Sequence, residues 1–171
     1  MLHILDANTL IDAKNMYFQM ERVPEFWEWL IHQGNLGNIK IPIEIYEEII
    51  APVSKDTAPD ELVEWIKRDD VKEALVLDEE SLPEHVAIIT ENGYASDLSE
   101  DEILKIGSDP FLMSYAFKNT ENRSVVTTEV SKPSKQRANK KVPDVCNYFG
   151  IKCINTFQLL SDLNFKTSWN K

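Results

Sequence analysis

Short apolar runs alternate with longer amphipathic segments along most of this chain. The apolar runs are rich in isoleucine, leucine and valine, as buried strands are; they cover residues 2–5, 39–42, 124–129 and 151–154. Between them, apolar residues recur at helical spacing. Because strands alternate with helices, the pattern predicts an α/β fold, a three-layer α/β/α sandwich with a central, mostly parallel sheet.

Several helix starts are marked by proline, which is favoured in the first helical turn. The predicted helices cover residues 24–30, 43–50, 60–67, 81–92 and 109–116, with further helices after residues 6 and 143 and near the C-terminus. At 171 residues the chain is in the usual range of one domain, so we expect a single domain over 1–171.

Four acidic residues lie where a predicted strand ends or a helix begins. Asp6 follows the first strand, Asp109 starts a helix, Glu129 ends a β-branched strand, and Glu48 lies on the helix after the second strand. In an open parallel sheet, ligand sites lie beyond the carboxyl ends of the strands. Any one of these acids alone fits a helix cap or a solvated face. Four in the same setting indicate a shared site.

Converging carboxylates need a counter-charge. Like charges about 4 Å apart near a protein surface repel by roughly 4 kcal/mol per pair. Either some acids stay protonated with a raised pKa, or a cation neutralises them, and Mg²⁺ or Mn²⁺ suits an all-oxygen site. Such an ion can activate a bound water and stabilise charge on a scissile phosphate. The pattern therefore favours metal-dependent hydrolysis of a phosphate ester.

The order of these segments resembles the motifs of the PIN-domain ribonucleases, including the VapC-like toxins of bacterial toxin–antitoxin systems. The segment Leu5-Asp6-Ala7-Asn8-Thr9-Leu10-Ile11 is similar to the first motif of that family. Pro42 with Ile45, Glu48 and Ile49 is similar to the second, Asp109 with Leu112, Met113 and Ala116 to the third, and residues 125–129 to the last. The resemblance covers most of the chain in the correct order.

The resemblance implies a PIN-like, Mg²⁺- or Mn²⁺-dependent endoribonuclease with a separate protein antitoxin and makes a homodimer an expectation. The metal ligands and catalytic acids would be Asp6, Glu48, Asp109 and Glu129. Asn8 and Thr127 would orient ligands or water, although both also fit local hydrogen bonds that finish a strand or start a helix. Glu44 can replace Glu48 as the second ligand, since the two share a helix face while Glu47 points elsewhere; the offset from Pro42 favours Glu48.

Two features depart from the family pattern. The last acid is Glu129 where many members have Asp, and a longer side chain can reach the same cation from a different backbone position. The stretch 51–107 matches no motif, and we interpret it as a helical insertion that varies within the family.

The net charge of −11 opposes nonspecific attraction to nucleic acid. A local basic segment follows Glu129 and contains no acid from Val130 to Pro143; its cationic residues are Lys132, Lys135, Arg137, Lys140 and Lys141. We expect this segment to form a mobile loop that holds an RNA backbone beside the cation, with a solvated loop that has no partner as the alternative.

Cysteine content and hydropathy bear on the compartment. Cys146 and Cys153 are too few for a zinc site or a disulfide framework, so they fit core thiols in a reducing compartment. No apolar run approaches the roughly 18 residues of a membrane span, and no signal-like N-terminus is present. The sequence therefore predicts a cytoplasmic protein that does not contact membranes.

Two other function classes compete with the ribonuclease. A phosphatase or phosphotransferase would use an Asp nucleophile after the first strand, but such enzymes usually need a second Asp two residues on, where this chain has Asn8. The main alternative is a catalytically inactive PIN-like binding module that uses Trp27, Trp29 or the acidic surface for partners.

Overall fold

The computed structural model of the protein describes residues 1–51 and 60–170. In these residues, four strands lie at Leu2–Leu5 (β1), Ile39–Lys40 (β2), Arg123–Val126 (β3) and Lys152–Ile154 (β4). The α-helices of the described chain are Ala7–Asp12 (α1), Pro24–Asn35 (α2), Ile43–Ile50 (α3), Glu61–Ile66 (α4), Asp69–Leu75 (α5), Pro83–Ile88 (α6), Glu100–Ile106 (α7), Asp109–Phe117 (α8), Val142–Tyr148 (α9) and Thr156–Asp162 (α10).

The strands form one parallel sheet in the order β2-β1-β3-β4. Ile4 and Val125 are register partners at its centre and are fully buried. Strands that are buried on both faces read as continuous apolar runs, which explains why both strands were visible in the sequence. With helices on both sides of this sheet, the chain is a three-layer α/β/α sandwich, as predicted.

Two predicted strands are longer than those observed. The second ends at Lys40; Ile41 instead exchanges backbone hydrogen bonds with Leu75 and Leu77, and Pro42 immediately precedes α3. The third ends at Val126, so Glu129 lies three residues beyond β3 rather than at its end. The position of the Glu129 carboxylate is therefore set by the loop after β3 and not by the strand itself.

Helices dominate the stretch 51–107, as predicted, although residues 52–59 of it lie outside the described residues. The sequence pattern missed α5 and α7. Gly93 does not end the helix predicted for residues 81–92, because a wide π-helical turn over Ile89–Tyr94 continues α6 through it. A methyl group on Gly93 would come within 2.7 Å of a Val145 methyl, so close packing on α9 explains this glycine.

A similar π-helical turn, Ala13–Tyr17, continues α1. Each of these two turns ends in a tyrosine beside the acids described below. No helix within residues 1–51 and 60–170 has the length and apolar character that a membrane crossing needs.

Candidate functional site

Asp6 lies at the junction of β1 and α1, at the carboxyl edge of the sheet. Its backbone N–H donates to the carbonyl of Val126, 2.9 Å away, which places it beside the end of β3. Asp6 occupies the cap position of α1, but its carboxylate makes no capping hydrogen bond. Only 4% of the residue is exposed. The helix-cap interpretation of this acid therefore does not account for its side chain.

Thr127 connects two of the predicted acids. Its hydroxyl donates to Asp6 Oδ2 over 2.6 Å. The oxygen of this Thr127 hydroxyl also accepts a hydrogen bond from the backbone N–H of Glu129 at 3.1 Å. Thr127 is buried, and its own N–H donates to the carbonyl of Ile154. One hydroxyl thus fixes the Asp6 carboxylate and the start of the loop that leads to Glu129.

Asp109 is the first residue of α8 and is partly buried. Tyr94 donates its hydroxyl to Asp109 Oδ2 at 3.2 Å. Tyr94 is itself buried, and the negative charge of Asp109 adds to that burial in raising the pKa of its phenol. This tyrosine comes from the 51–107 stretch, where the sequence offered no motif that could have identified it.

The second-motif acids differ in their surroundings. Glu48 is exposed, and its charge raises the pKa of both Asp6 and Asp109. Glu44 instead accepts the hydroxyl of Tyr115 at 3.2 Å. Glu48 is therefore the acid of this helix that is electrostatically coupled to the other carboxylates.

Glu129 is held by two donors. Lys141 Nζ forms an ion pair with Glu129 Oε1, and the backbone N–H of Val142 donates to Oε2 at 2.9 Å. The hydrogen bond that Lys141 donates to Glu129 raises the pKa of Lys141, because it stabilises the charged ammonium. In this arrangement a lysine supplies the positive charge beside the last predicted acid.

We name the cavity between α3 and the start of α8 the acidic cleft. It has a volume of about 710 Å³, and its polar lining is Asn8, Glu44, Glu47, Glu48, Lys105, Ser108, Asp109 and Glu129. Asn8 is exposed there. Glu47 of the same helix also lines the cleft. Asp6 is outside the lining but close enough for the charges of Glu48 and Glu129 to act on it.

Asp6 and Asp109 are poorly solvated, and this raises the pKa of both carboxyl groups. Burial, with repulsion from Glu48 and Glu129, raises the pKa of Asp6 to about 6, against the opposing hydrogen bond from Thr127. Burial, followed by the charges of Asp6 and Glu129, raises the pKa of Asp109 to about 7. The charges of Glu48 and Glu129 therefore act on both Asp6 and Asp109, and that the four acids form one ligand site stays a prediction.

The donor chemistry fits a hard divalent cation, since carboxylates with a raised pKa gain from a nearby positive charge. The present side-chain positions do not form a complete ligand set: within residues 1–51 and 60–170, no three Asp, Glu, His or Cys residues are grouped as metal ligands. Thr127, Tyr94 and Lys141 each hold one of the predicted ligands. Ion binding would therefore require at least Glu129 to turn away from Lys141.

The five predicted RNA-binding cations lie in different surroundings. Arg137 pairs with Asp97 and Glu102 at 2.7 and 2.8 Å, and Lys140 donates to the carbonyl of Gly93. A second cavity of about 370 Å³, the basic hollow, adjoins the cleft; its lining includes Lys105, Asp109, Glu129, Lys132, Lys135, Lys140 and Lys141. Arg137 is not part of that lining. Lys105 lines both cavities, although no motif or charge pattern in the sequence distinguishes it.

Residues 3–167 match a family described as a domain of unknown function, DUF4411, and the chain belongs to that family. No curated protein and no solved structure matches the chain. The family description names no activity, so function has to be argued from the site.

Proposed function

We propose that this protein is a Mg²⁺- or Mn²⁺-dependent endoribonuclease that hydrolyses RNA phosphodiester bonds, and that it is the toxin of a toxin–antitoxin system. The observation that carries the proposal is the electrostatic coupling of Asp6, Glu48, Asp109 and Glu129 around one cleft at the carboxyl edge of the sheet. Perturbed acidities of several neighbouring carboxylates in a cleft are typical of functional sites.

The roles of the chain's own residues follow from their contacts. Asp6 and Asp109 supply buried carboxylates, and Thr127 and Tyr94 orient them through hydrogen bonds. Glu48 and Glu129 would complete the ligand set from the more adjustable side of the cleft. A bound divalent ion would supply an activated water and stabilise the charge that develops on the phosphate.

The basic hollow supports RNA as the substrate despite the net charge of −11. Lysines that line a cavity next to the carboxylates can contact phosphates on either side of the scissile bond, while the rest of the surface repels nucleic acid. A protein antitoxin and a homodimer are parts of the proposal that rest on the resemblance to PIN-domain toxins.

The direct test is cleavage of a labelled single-stranded RNA by the purified chain with Mg²⁺, Mn²⁺ or a chelator. We expect cleavage only with the metal ions and its loss in Asp6→Asn and Asp109→Asn. Asp101→Asn is a matched control, because Asp101 is an exposed acid on α7 outside the cleft lining. Cleavage that survives both site variants would contradict the proposal.

One observation favours a second candidate, a noncatalytic PIN-like binding module. Lys141 and the Val142 N–H already satisfy Glu129, as expected of a site that needs no metal. Calorimetric titration with Mn²⁺ separates the two, since only the nuclease requires ion binding that depends on Asp6.

A further inference from the structure

Glu129 lines three adjoining cavities: the acidic cleft, the basic hollow and a third that we name the aromatic hollow. The aromatic hollow has a volume of about 380 Å³, and its lining includes Tyr17, Thr127, Glu129, Ile154, Thr156 and Phe157. Because Thr127 and Glu129 belong both to this lining and to the carboxylate site, the hollow adjoins the proposed position of the scissile phosphate.

Two exposed aromatic rings form part of this hollow. Tyr17 and Phe157 are 48% and 56% exposed, and their ring centroids are 5.2 Å apart in an edge-to-face arrangement. Tyr17 ends the π-helical turn after α1, whereas Phe157 is in the first turn of α10. Parts of the chain far apart in sequence therefore bring two partly exposed rings together next to the acids.

The rest of the hollow is almost uncharged. Among the described residues, Glu129 is the one charged member of its lining, so the hollow suits a neutral planar group better than a phosphate. The Thr156 hydroxyl is buried in its wall and has no hydrogen-bond partner in the described chain. This hydroxyl is not exposed to the hollow, so the surface that a ligand meets is formed mainly by the two rings and by neutral side chains.

We propose that the aromatic hollow receives one unstacked nucleobase of a single-stranded RNA whose neighbouring phosphate lies at the carboxylates; this rests on the proposed nuclease function. A nucleobase offers a neutral π-face for the aromatic rings and needs no charged partner in the hollow. Bases in a duplex are stacked and paired, so the hollow selects single strands. An apolar side chain of a protein partner would also fit the aromatic hollow. Such a partner would not explain why the basic hollow, which Glu129 also lines, adjoins it.

The test combines an RNA that lacks one base with a protein variant that lacks one aromatic ring. Binding of a short fluorescent single-stranded RNA is measured by anisotropy in the Asp6→Asn background, with an abasic nucleotide placed at each position in turn. We expect one abasic position to weaken binding about tenfold, the usual size of one base–aromatic stacking contact. In Phe157→Ala or Tyr17→Ala, the intact RNA should bind correspondingly more weakly and the abasic penalty should disappear.

Tyr148→Ala is the matched control, because Tyr148 is 67% exposed and is not in the lining of the hollow. An abasic penalty that persists in both ring variants, or equal binding of duplex and single strand, overturns the base site. If cleavage by the unaltered protein still requires Asp6 in that case, the nuclease stands without the base site. Ring-dependent recognition without cleavage supports the base site and overturns the nuclease, and a chain that binds no RNA overturns both.

Discussion

Thr127 and Asp6 are 121 residues apart in the chain, yet the hydroxyl of one donates to the carboxylate of the other over 2.6 Å. Since the same hydroxyl accepts the N–H of Glu129, Thr127 links the end of β1 with the loop after β3. This contact lies wholly inside the protein, where hydrogen bonds to a charged partner are stronger than at the surface.

Replacing Thr127 by valine keeps the shape of the side chain but removes this hydroxyl. We expect the pKa of Asp6 to rise further, because its opposing hydrogen bond is lost, and the free energy of unfolding at pH 8 to fall by about 1.5–3 kcal/mol. Urea denaturation measures the stability, and NMR titration of the Asp6 carboxyl measures the pKa. Thr127→Ser, which keeps the hydroxyl, should remain close to the unaltered protein.

Stability without divalent ions should fall as the pH rises from about 4 to 8. The pKa values of Asp6 and Asp109 are about 6 and about 7 in the folded chain and near 3.8 when unfolded, so the folded state binds more protons in this range. Their contribution is full below pH 3.8 and is lost as the pH passes through 6 and 7. Together it is on the order of a few kcal/mol.

Urea denaturation in a chelator at several pH values measures this loss of stability. The double variant Asp6→Asn, Asp109→Asn should be less sensitive to pH, and Mn²⁺ should restore the stability of the unaltered protein at pH 8. Asp101→Asn should keep the full pH dependence. A stability that rises between pH 4 and 8 in the unaltered protein but not in the double variant would contradict the assigned directions.

Lys141 should compete with a divalent ion for Glu129. Lys141→Gln removes the competing charge, so we expect tighter Mn²⁺ binding by roughly three- to tenfold, the scale of a partly exposed ion pair. Without metal the same variant should be less stable, because Glu129 loses its counter-charge. Calorimetry gives the affinity, and Lys141→Arg, which keeps the charge, serves as control; weaker Mn²⁺ binding by the Gln variant would show that Lys141 assists the ion instead.

The salt dependence of RNA binding should distinguish the cations of the basic segment. Lys132→Gln and Lys135→Gln should each flatten the slope of log affinity against log salt concentration by about 0.7 if the lysine contacts one phosphate. Arg137→Gln should leave the slope nearly unchanged, because Asp97 and Glu102 already pair with Arg137. Its main effect should be on stability, through the unpaired Glu102. Equal slopes for all three variants would argue against phosphate contacts in the basic hollow.

The fold was predictable because its strands and helices are encoded locally. A buried parallel strand must be an apolar run, and an acid directly after it, such as Asp6, is visible in the sequence. The residues that contact those acids could not be predicted in this way. Tyr94, Lys105 and Lys141 reach the site only through tertiary packing or the path of a loop, and no spacing rule relates them to Asp109 or Glu129. The turn of Glu129 toward Lys141 is a choice of side-chain rotamer that the sequence does not encode.

The carbonyl of Val126 accepts two hydrogen bonds, from the Asp6 N–H at 2.9 Å and from the Thr9 hydroxyl at 3.0 Å. These two hydrogen bonds attach the first turn of α1 to the central strand β3, which anchors the backbone of Asp6. Glu48 lies instead on the exposed side of α3, and Glu129 lies on the loop after β3. Substitutions of Glu48 or Glu129 therefore leave the two hydrogen bonds to Val126 in place, so they can alter the site without detaching α1 from the sheet.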